Sequence, residues 1–148
     1  MNFASVSRRL RGLSWLLRRS DGDARHALGS RGERAAARFL RRQRHRIIAR
    51  NYDCPAGEID LITTQSGTIV FVEVKTRSEE HGKDAGQTVA AGQRERIVRA
   101  AQYFLRKAHA ESRPSRFDVV TVYFPSDGKP EIEHFEDAFQ PIGKPPRR

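Results

Sequence analysis

Apolar residues recur along this chain with two periods, and the alternation between them outlines its elements. Phe3, Val6, Leu10, Leu13 and Leu17 stand at helical spacing among arginines, which predicts a basic amphipathic helix over residues 3–19. Ser20 to Ser30 is polar and contains Gly22 and Gly29, as expected of a linker. Ala36, Phe39 and Leu40 form the inward stripe of a helix spanning residues 31–43. Strand-like runs follow at residues 47–52, 58–64 and 68–75, joined by the turn sequences DCPAG and QSG. Residues 76–87 are polar and read as a mobile loop. A further helix over residues 91–109 places Ile97, Ala100, Ala101, Phe104, Leu105 and Ala108 on one face. Residues 116–124 and 131–135 read as strands, and PIGKPPRR as a flexible tail. The pattern predicts a basic extension over 1–28, an α/β domain over 29–136 and a tail over 137–148.

The second and third strands carry the candidate chemistry. Alternation puts Glu58, Asp60 and Ile62 on one face and Ile59 and Leu61 on the other. With Ser66-Gly67 as a two-residue turn, Gln65 pairs with Thr68. That register sets Asp60 opposite Glu73 and Glu58 opposite Lys75. Carboxylates facing each other across a ladder repel, and burial raises the cost. A divalent cation removes the conflict, and clustered hard oxygens suit Mg²⁺ or Mn²⁺. Glu73 can then serve as a metal ligand, with Lys75 acting beside the ion. The same four residues also suit the solvated face of an amphipathic hairpin, although Phe71 and Ile62 on that face ask for cover. A register slip of one residue would send Asp60 and Glu73 to opposite faces. Glu33 points near the inward face of its helix; it either belongs to this cluster or complements the helix dipole.

Charge extends the picture to partners. The 148 residues suit a single domain and carry a net charge of +10. Residues 1–50 hold fourteen arginines against three acids, a net of +11, whereas residues 51–148 hold fourteen basic and fifteen acidic residues, a net of −1. Such a concentration attracts polyanions by counterion release, nucleic acid above all. A solvated basic face, or a segment at residues 3–19 lying on an anionic membrane surface, would read the same way. The single cysteine, Cys54, precludes an intrachain disulfide and fits the reducing cytoplasm. No apolar run reaches the length of a transmembrane segment. The five histidines show no metal-ligand spacing with Cys54. Phosphate-cradling glycine motifs and a Gly-x-Ser-x-Gly elbow are both missing from the sequence.

GSRGERAAARFL, NYDCPAGEIDLI, VFVEVKTR, AAQYFL and RFDVV occur in that order. Together they resemble the YraN-like family of uncharacterised bacterial proteins, over about residues 29–124. That family is similar to the restriction-endonuclease-like PD-(D/E)xK nucleases, and among them to archaeal Holliday-junction resolvases. The resemblance implies an αβββαβ core with a mixed central sheet flanked by helices. It matches Asp60 to the motif aspartate, Glu73 and Lys75 to the ExK pair, and Glu33 to the acid of the first helix; Glu58 is a family feature of less fixed role. The family often has a lysine where this chain has Gln93. The implied activity is hydrolysis of phosphodiester bonds in nucleic acid, DNA rather than RNA, in structured or branched substrates. Asp60, Glu73, the Val74 carbonyl and Glu33 would hold Mg²⁺ or Mn²⁺. Arg31, Arg34, Arg41, Arg42, Arg77, Arg94 and Arg96 would contact nucleic acid, and resolvase-like relatives suggest a homodimer. A non-catalytic nucleic-acid-binding protein retaining the fold is the alternative.

Overall fold

The computed structural model describes residues 21–79 and 89–141. Helix α1 spans Asp21–Arg42. Three antiparallel neighbours follow, β1 (Arg46–Cys54), β2 (Gly57–Gln65) and β3 (Thr68–Ser78). Helix α2 (Ala91–Lys107) then crosses over to β4 (Ser115–Phe124), and β5 (Glu131–Phe139) closes the chain order. The strands form one sheet in the order β1-β2-β3-β4-β5. Only β3 and β4 run parallel, because the α2 crossover between them turns the chain back to its starting edge. The expected αβββαβ order is present, with β5 added along β4.

Each helix covers one face of the sheet. Ala35, Ala36, Ala37 and Leu40 of α1 pack on Leu61, Val70, Val72, Val120 and Val122. Ile97, Ala100, Ala101 and Phe104 of α2 pack on Tyr52, Ile59, Ile62, Phe71, Phe117 and Val119. The alanines let α1 lie close to the sheet, and Gly32 continues that contact. A Cβ at Gly32 would sit 1.8 Å from the Thr76 Oγ1. Gly32→Ala is therefore expected to cost about 1–3 kcal/mol by overpacking. Thr76→Ala, which removes the two nearest atoms, should restore part of the loss in a denaturant titration. An unchanged midpoint for Gly32→Ala would show that α1 is not held at this distance.

Several expectations from the sequence need correction. Residues 21–30 are helix rather than linker. Two glycines disfavour that helix by about 1 kcal/mol each, but Leu28 is half-buried and α1 gains from packing. β3 runs on to Ser78, into the segment read as loop. β5 reaches Phe139, past the expected domain limit at 136, because Phe139 is buried and stacks on Phe117 at 5.0 Å. The helix expected at 3–19, most of the expected loop and the end of the tail lie outside the described residues.

The α1 face also carries a buried polar cluster. Asp118, fully buried, accepts hydrogen bonds from Arg116 Nε at 2.9 Å and from the Asp137 backbone N–H at 2.9 Å. His134 Nε2 lies 2.8 Å from its other oxygen. Beside it His45 Nδ1 lies 2.8 Å from Thr63 Oγ1, while its buried Nε2 has no partner among the described residues. Burial holds the His45 imidazole below its ordinary 6.5, helped by His134 and Arg116 and opposed by Asp118 and Glu136. The unfolded chain then takes up the proton first. His45 contributes stability that is present above pH 6.5 and is lost as pH falls through its folded value. From pH 7 towards 5 the urea midpoint of the parent is expected to fall relative to that of His45→Gln, which lacks this titration. Equal slopes in the two proteins would exclude His45 as the cause.

Candidate active site at the end of the β2–β3 ladder

The hairpin turn forms as the sequence requires. Ser66 and Gly67 both adopt positive φ, at 48° and 82°, so Gln65 pairs with Thr68. The ladder then runs in register to Leu61↔Val72 and ends there. Asp60 takes over where the backbone pairing stops: its Oδ2 accepts the Val74 N–H at 2.7 Å. A strand residue projects its N–H and C=O to the same side, so the Val74 carbonyl faces the same notch.

The notch arises from a local break in the alternation of β1 and β2. Arg50 pairs with Leu61 and Tyr52 with Ile59, leaving Asn51 across from Asp60. Asn51 has φ 47°, a left-handed conformation that asparagine tolerates better than most residues. Beyond this point Ile59 joins Ile62 on the α2 face, whereas Leu61 faces α1. The simple alternation that grouped Ile59 with Leu61 therefore fails at Asp60. Glu58 is affected too. It is exposed and pairs with Asp53 of β1 rather than lying on a ladder opposite Lys75.

Glu73 and Lys75 project from β3 towards α2, and Gln93 of α2 meets both. The Gln93 Nε2 donates to Glu73 Oε1 at 2.5 Å, and its Oε1 accepts from Lys75 Nζ at 2.8 Å. Lys75 Nζ also lies 3.4 Å from Glu73 Oε1. Glu73 is in turn hydrogen-bonded to Asp60 through the two carboxyl groups. A continuous chain thus runs from Lys75 through Gln93, Glu73 and Asp60 to the Val74 N–H. The amide at position 93 satisfies both neighbours because it donates on one side and accepts on the other. A lysine there could not accept from Lys75.

Two carboxyl groups in contact cannot both stay ionised at low cost. Burial, then the charge of Asp60, pushes Glu73 up to about 8, against the opposing effect of Lys75. Asp60 is also raised, by burial first, although the Val74 N–H, the bond from Glu73 and the Lys75 charge hold it down. Both shifts favour a proton held between the two groups when no cation is present. Glu33 approaches from the α1 side. It is half-buried, hydrogen-bonds to Asn51, and is raised by burial and by the Asp60 charge.

The donor set fits a hard divalent ion of modest protein ligation. Asp60 and Glu73 supply carboxylate oxygens and Val74 a carbonyl, with Glu33 set further back. Among the described residues no three His, Cys, Asp or Glu side chains form a ready-made metal cage. Mg²⁺ usually keeps several waters and takes one or two protein carboxylates together with substrate phosphate. The sequence anticipated that Asp60, Glu73 and Lys75 lie close together but missed Asn51 beside them, whose only signal was a left-handed-tolerant residue within a strand. It flagged Gln93 as a departure without showing that it bridges Glu73 and Lys75.

The expected phosphate contacts divide. Arg31, Arg34, Arg41 and Arg42 are exposed on α1, and their spacing, with exposed Arg38, lays them along one side of the helix. Arg96 is exposed on α2. Arg94 is engaged in the fold, donating to the Val89 carbonyl at 2.7 Å and lying over Phe139. Arg77 donates to the Thr76 carbonyl at 2.8 Å. Among the described residues, no helix is long and apolar enough to cross a membrane.

Comparison with known proteins gives a consistent family but no activity. The profile of "Uncharacterised protein family UPF0102" matches residues 32–122. A UPF0102 protein of Geobacter metallireducens is 40% identical over 114 residues, covering 77% of this chain and 93% of the relative. Another, from Symbiobacterium thermophilum, is 43% identical over 112 residues, 76% and 95% of the two chains. One from Nitratidesulfovibrio vulgaris is 44% identical over 117 residues, 79% and 87% of the two chains.

Proposed function

This chain belongs to UPF0102, the YraN-like family of uncharacterised proteins, and we propose that it is a metal-dependent phosphodiester hydrolase acting on nucleic acid. One observation carries the reading. Asp60 and Glu73, from neighbouring strands, bring their carboxyl groups together in a notch where the ladder ends, with the Lys75 ammonium 3.4 Å from Glu73. A structural ion pair would match opposite charges; this arrangement forces like charges together and sets a cation beside them.

Asp60, Glu73 and the Val74 carbonyl would hold the ion, Mg²⁺ or Mn²⁺, with Glu33 acting through water. When bound, such an ion lowers the pKa of coordinated water and offsets charge on the phosphate. Glu73 must give up its shared proton to bind the ion. Lys75, positioned by Gln93, orients the attacking water or stabilises the negative charge that develops on phosphate. The arginines of α1 supply sequence-independent grip on flanking phosphates. The excess positive charge of residues 1–50 favours a polyanionic substrate, the PD-(D/E)xK resemblance favours DNA and a homodimer, and the single cysteine fits a reducing cytoplasm.

Nicking of duplex, single-stranded and branched DNA should require Mg²⁺ or Mn²⁺ and disappear in Asp60→Ala. Cleavage that survives Asp60→Ala would exclude this site. Salt-sensitive binding without any metal-dependent turnover would favour the non-catalytic module instead.

A further inference from the structure

A cavity of about 650 Å³ opens between the first half of α1 and the ends of β3 and β4. Ala24, Ala27 and Leu28 form its α1 wall, with Arg25 and Arg31 contributing guanidinium groups. Across it stands Phe124, at the end of β4, and the Arg31 guanidinium lies over that ring, 4.4 Å from its centroid. The far rim is fixed by Glu79, which accepts the Ser126 N–H at 2.9 Å. Arg31 precedes Glu33 by two residues, and Gly32 between them rests on Thr76. Ser78, on the cavity wall, follows Lys75 by three strand residues, about 10 Å. The cavity lies on the α1 side of the sheet, the side from which Glu33 approaches, whereas Glu73 and Lys75 project from the other face of β3.

We propose that this cavity binds an unpaired nucleobase of the substrate, an inference that rests on the hydrolase reading and specifies its substrate. The Arg31 guanidinium over Phe124 presents a planar cation to the cavity, and guanidinium planes stack on bases. The alanine and leucine wall accepts the rest of a planar ring without demanding a particular hydrogen-bond pattern. Arg25, also on the cavity wall, offers a charge for the phosphate of that nucleotide. A paired base would first have to leave the duplex stack, at a cost of about a few kcal/mol that an unpaired base avoids. The preferred substrate consequently has a single-stranded nucleotide near the cut, as at a flap, gap or branch.

The test uses the full chain in EDTA, so that binding is read without cleavage. The probe is a duplex with a short single-stranded overhang carrying 2-aminopurine, whose fluorescence reports stacking. The parent should change that fluorescence on binding, and should leave 2-aminopurine within a perfect duplex unaffected. Phe124→Leu keeps the packing volume but removes the ring. It takes away the ring that holds the Arg31 guanidinium in place and is expected to lower affinity for the overhang about 2- to 30-fold, the range for one cation–π contact, while changing duplex affinity by little. Ala27→Leu, at an exposed helix position, fills the cavity without touching the core and should give the same selective loss. Equal signals in parent and both variants, an equal response from paired 2-aminopurine, or no binding by the parent would each overturn the proposal. Metal-dependent cleavage by a parent that shows no stacking signal would remove the base site and leave the hydrolase standing. A stacking signal without cleavage would do the reverse.

Discussion

If the proposed activity holds, Glu73→Gln is expected to lower metal-dependent cleavage strongly and, in EDTA at pH 8, to yield a protein that melts above its parent. The two effects share one cause. Burial and the Asp60 charge push the Glu73 carboxyl up to about 8 from its ordinary 4.5. A carboxyl raised on folding favours the fold below its unfolded value and loses that contribution as pH rises through the folded value. The parent without cation should therefore lose stability between about pH 4.5 and 8. Glutamine reproduces the protonated form. Its amide N–H₂ donates to Asp60 and its carbonyl accepts from Gln93, with no proton to lose. Its stability should be flat over that window. Mn²⁺ should raise the melting temperature of the parent, by the equivalent of about 2.7 kcal/mol at a hundredfold excess over its dissociation constant. The variant should not respond. Cleavage should fall by about 10²-fold or more, as when a transition-state charge partner is removed. Parallel pH profiles in EDTA, or a cation response retained by the variant, would refute the shared-proton geometry.

The largest loss of stability is expected at Asp118. Its carboxylate is fully buried and meets Arg116, His134 and the Asp137 N–H. Burial opposes its charge, but these partners outweigh it and hold the carboxyl below its ordinary 3.8. The contacts also shape β5. The β4–β5 register shifts between Phe117 and Val119, and Asp137, with φ 50°, turns its N–H onto the Asp118 carboxylate there. Asp118→Ala leaves Arg116 without its buried partner and His134 without its acceptor. Removing one member of a buried charge pair costs about 3–5 kcal/mol, which lowers the melting temperature by roughly 10 °C for a chain of this size. Asp118→Asn should be less severe, since it still accepts from one donor. The parent should also lose this contribution as pH falls below 3.8 through the folded value, a limb that Asp118→Asn lacks. A melting temperature for Asp118→Ala within two or three degrees of the parent, about 1 kcal/mol, would show that the cluster is not what holds β5 in place.

What the sequence determined by itself was local. Helical and alternating periods fixed the element order because each period places apolar atoms on one side of a helix or strand. Ser66-Gly67 fixed the hairpin register because both residues can take positive φ, and with it the meeting of Asp60 and Glu73. Tertiary structure decided what local pattern could not express. Residues 21–30 became helix because the sheet and the rest of α1 offered packing that their glycines alone argued against. The alternation broke at Asp60 because its side chain, rather than its backbone, meets Val74. Gln93 and Glu33 reached the carboxyl pair because one helix covers each face of the sheet, bringing together residues separated by up to sixty positions. Asp118 gave no signal in a strand of apolar neighbours, since its partners arrive from β5 and from two residues upstream only once the sheet has formed.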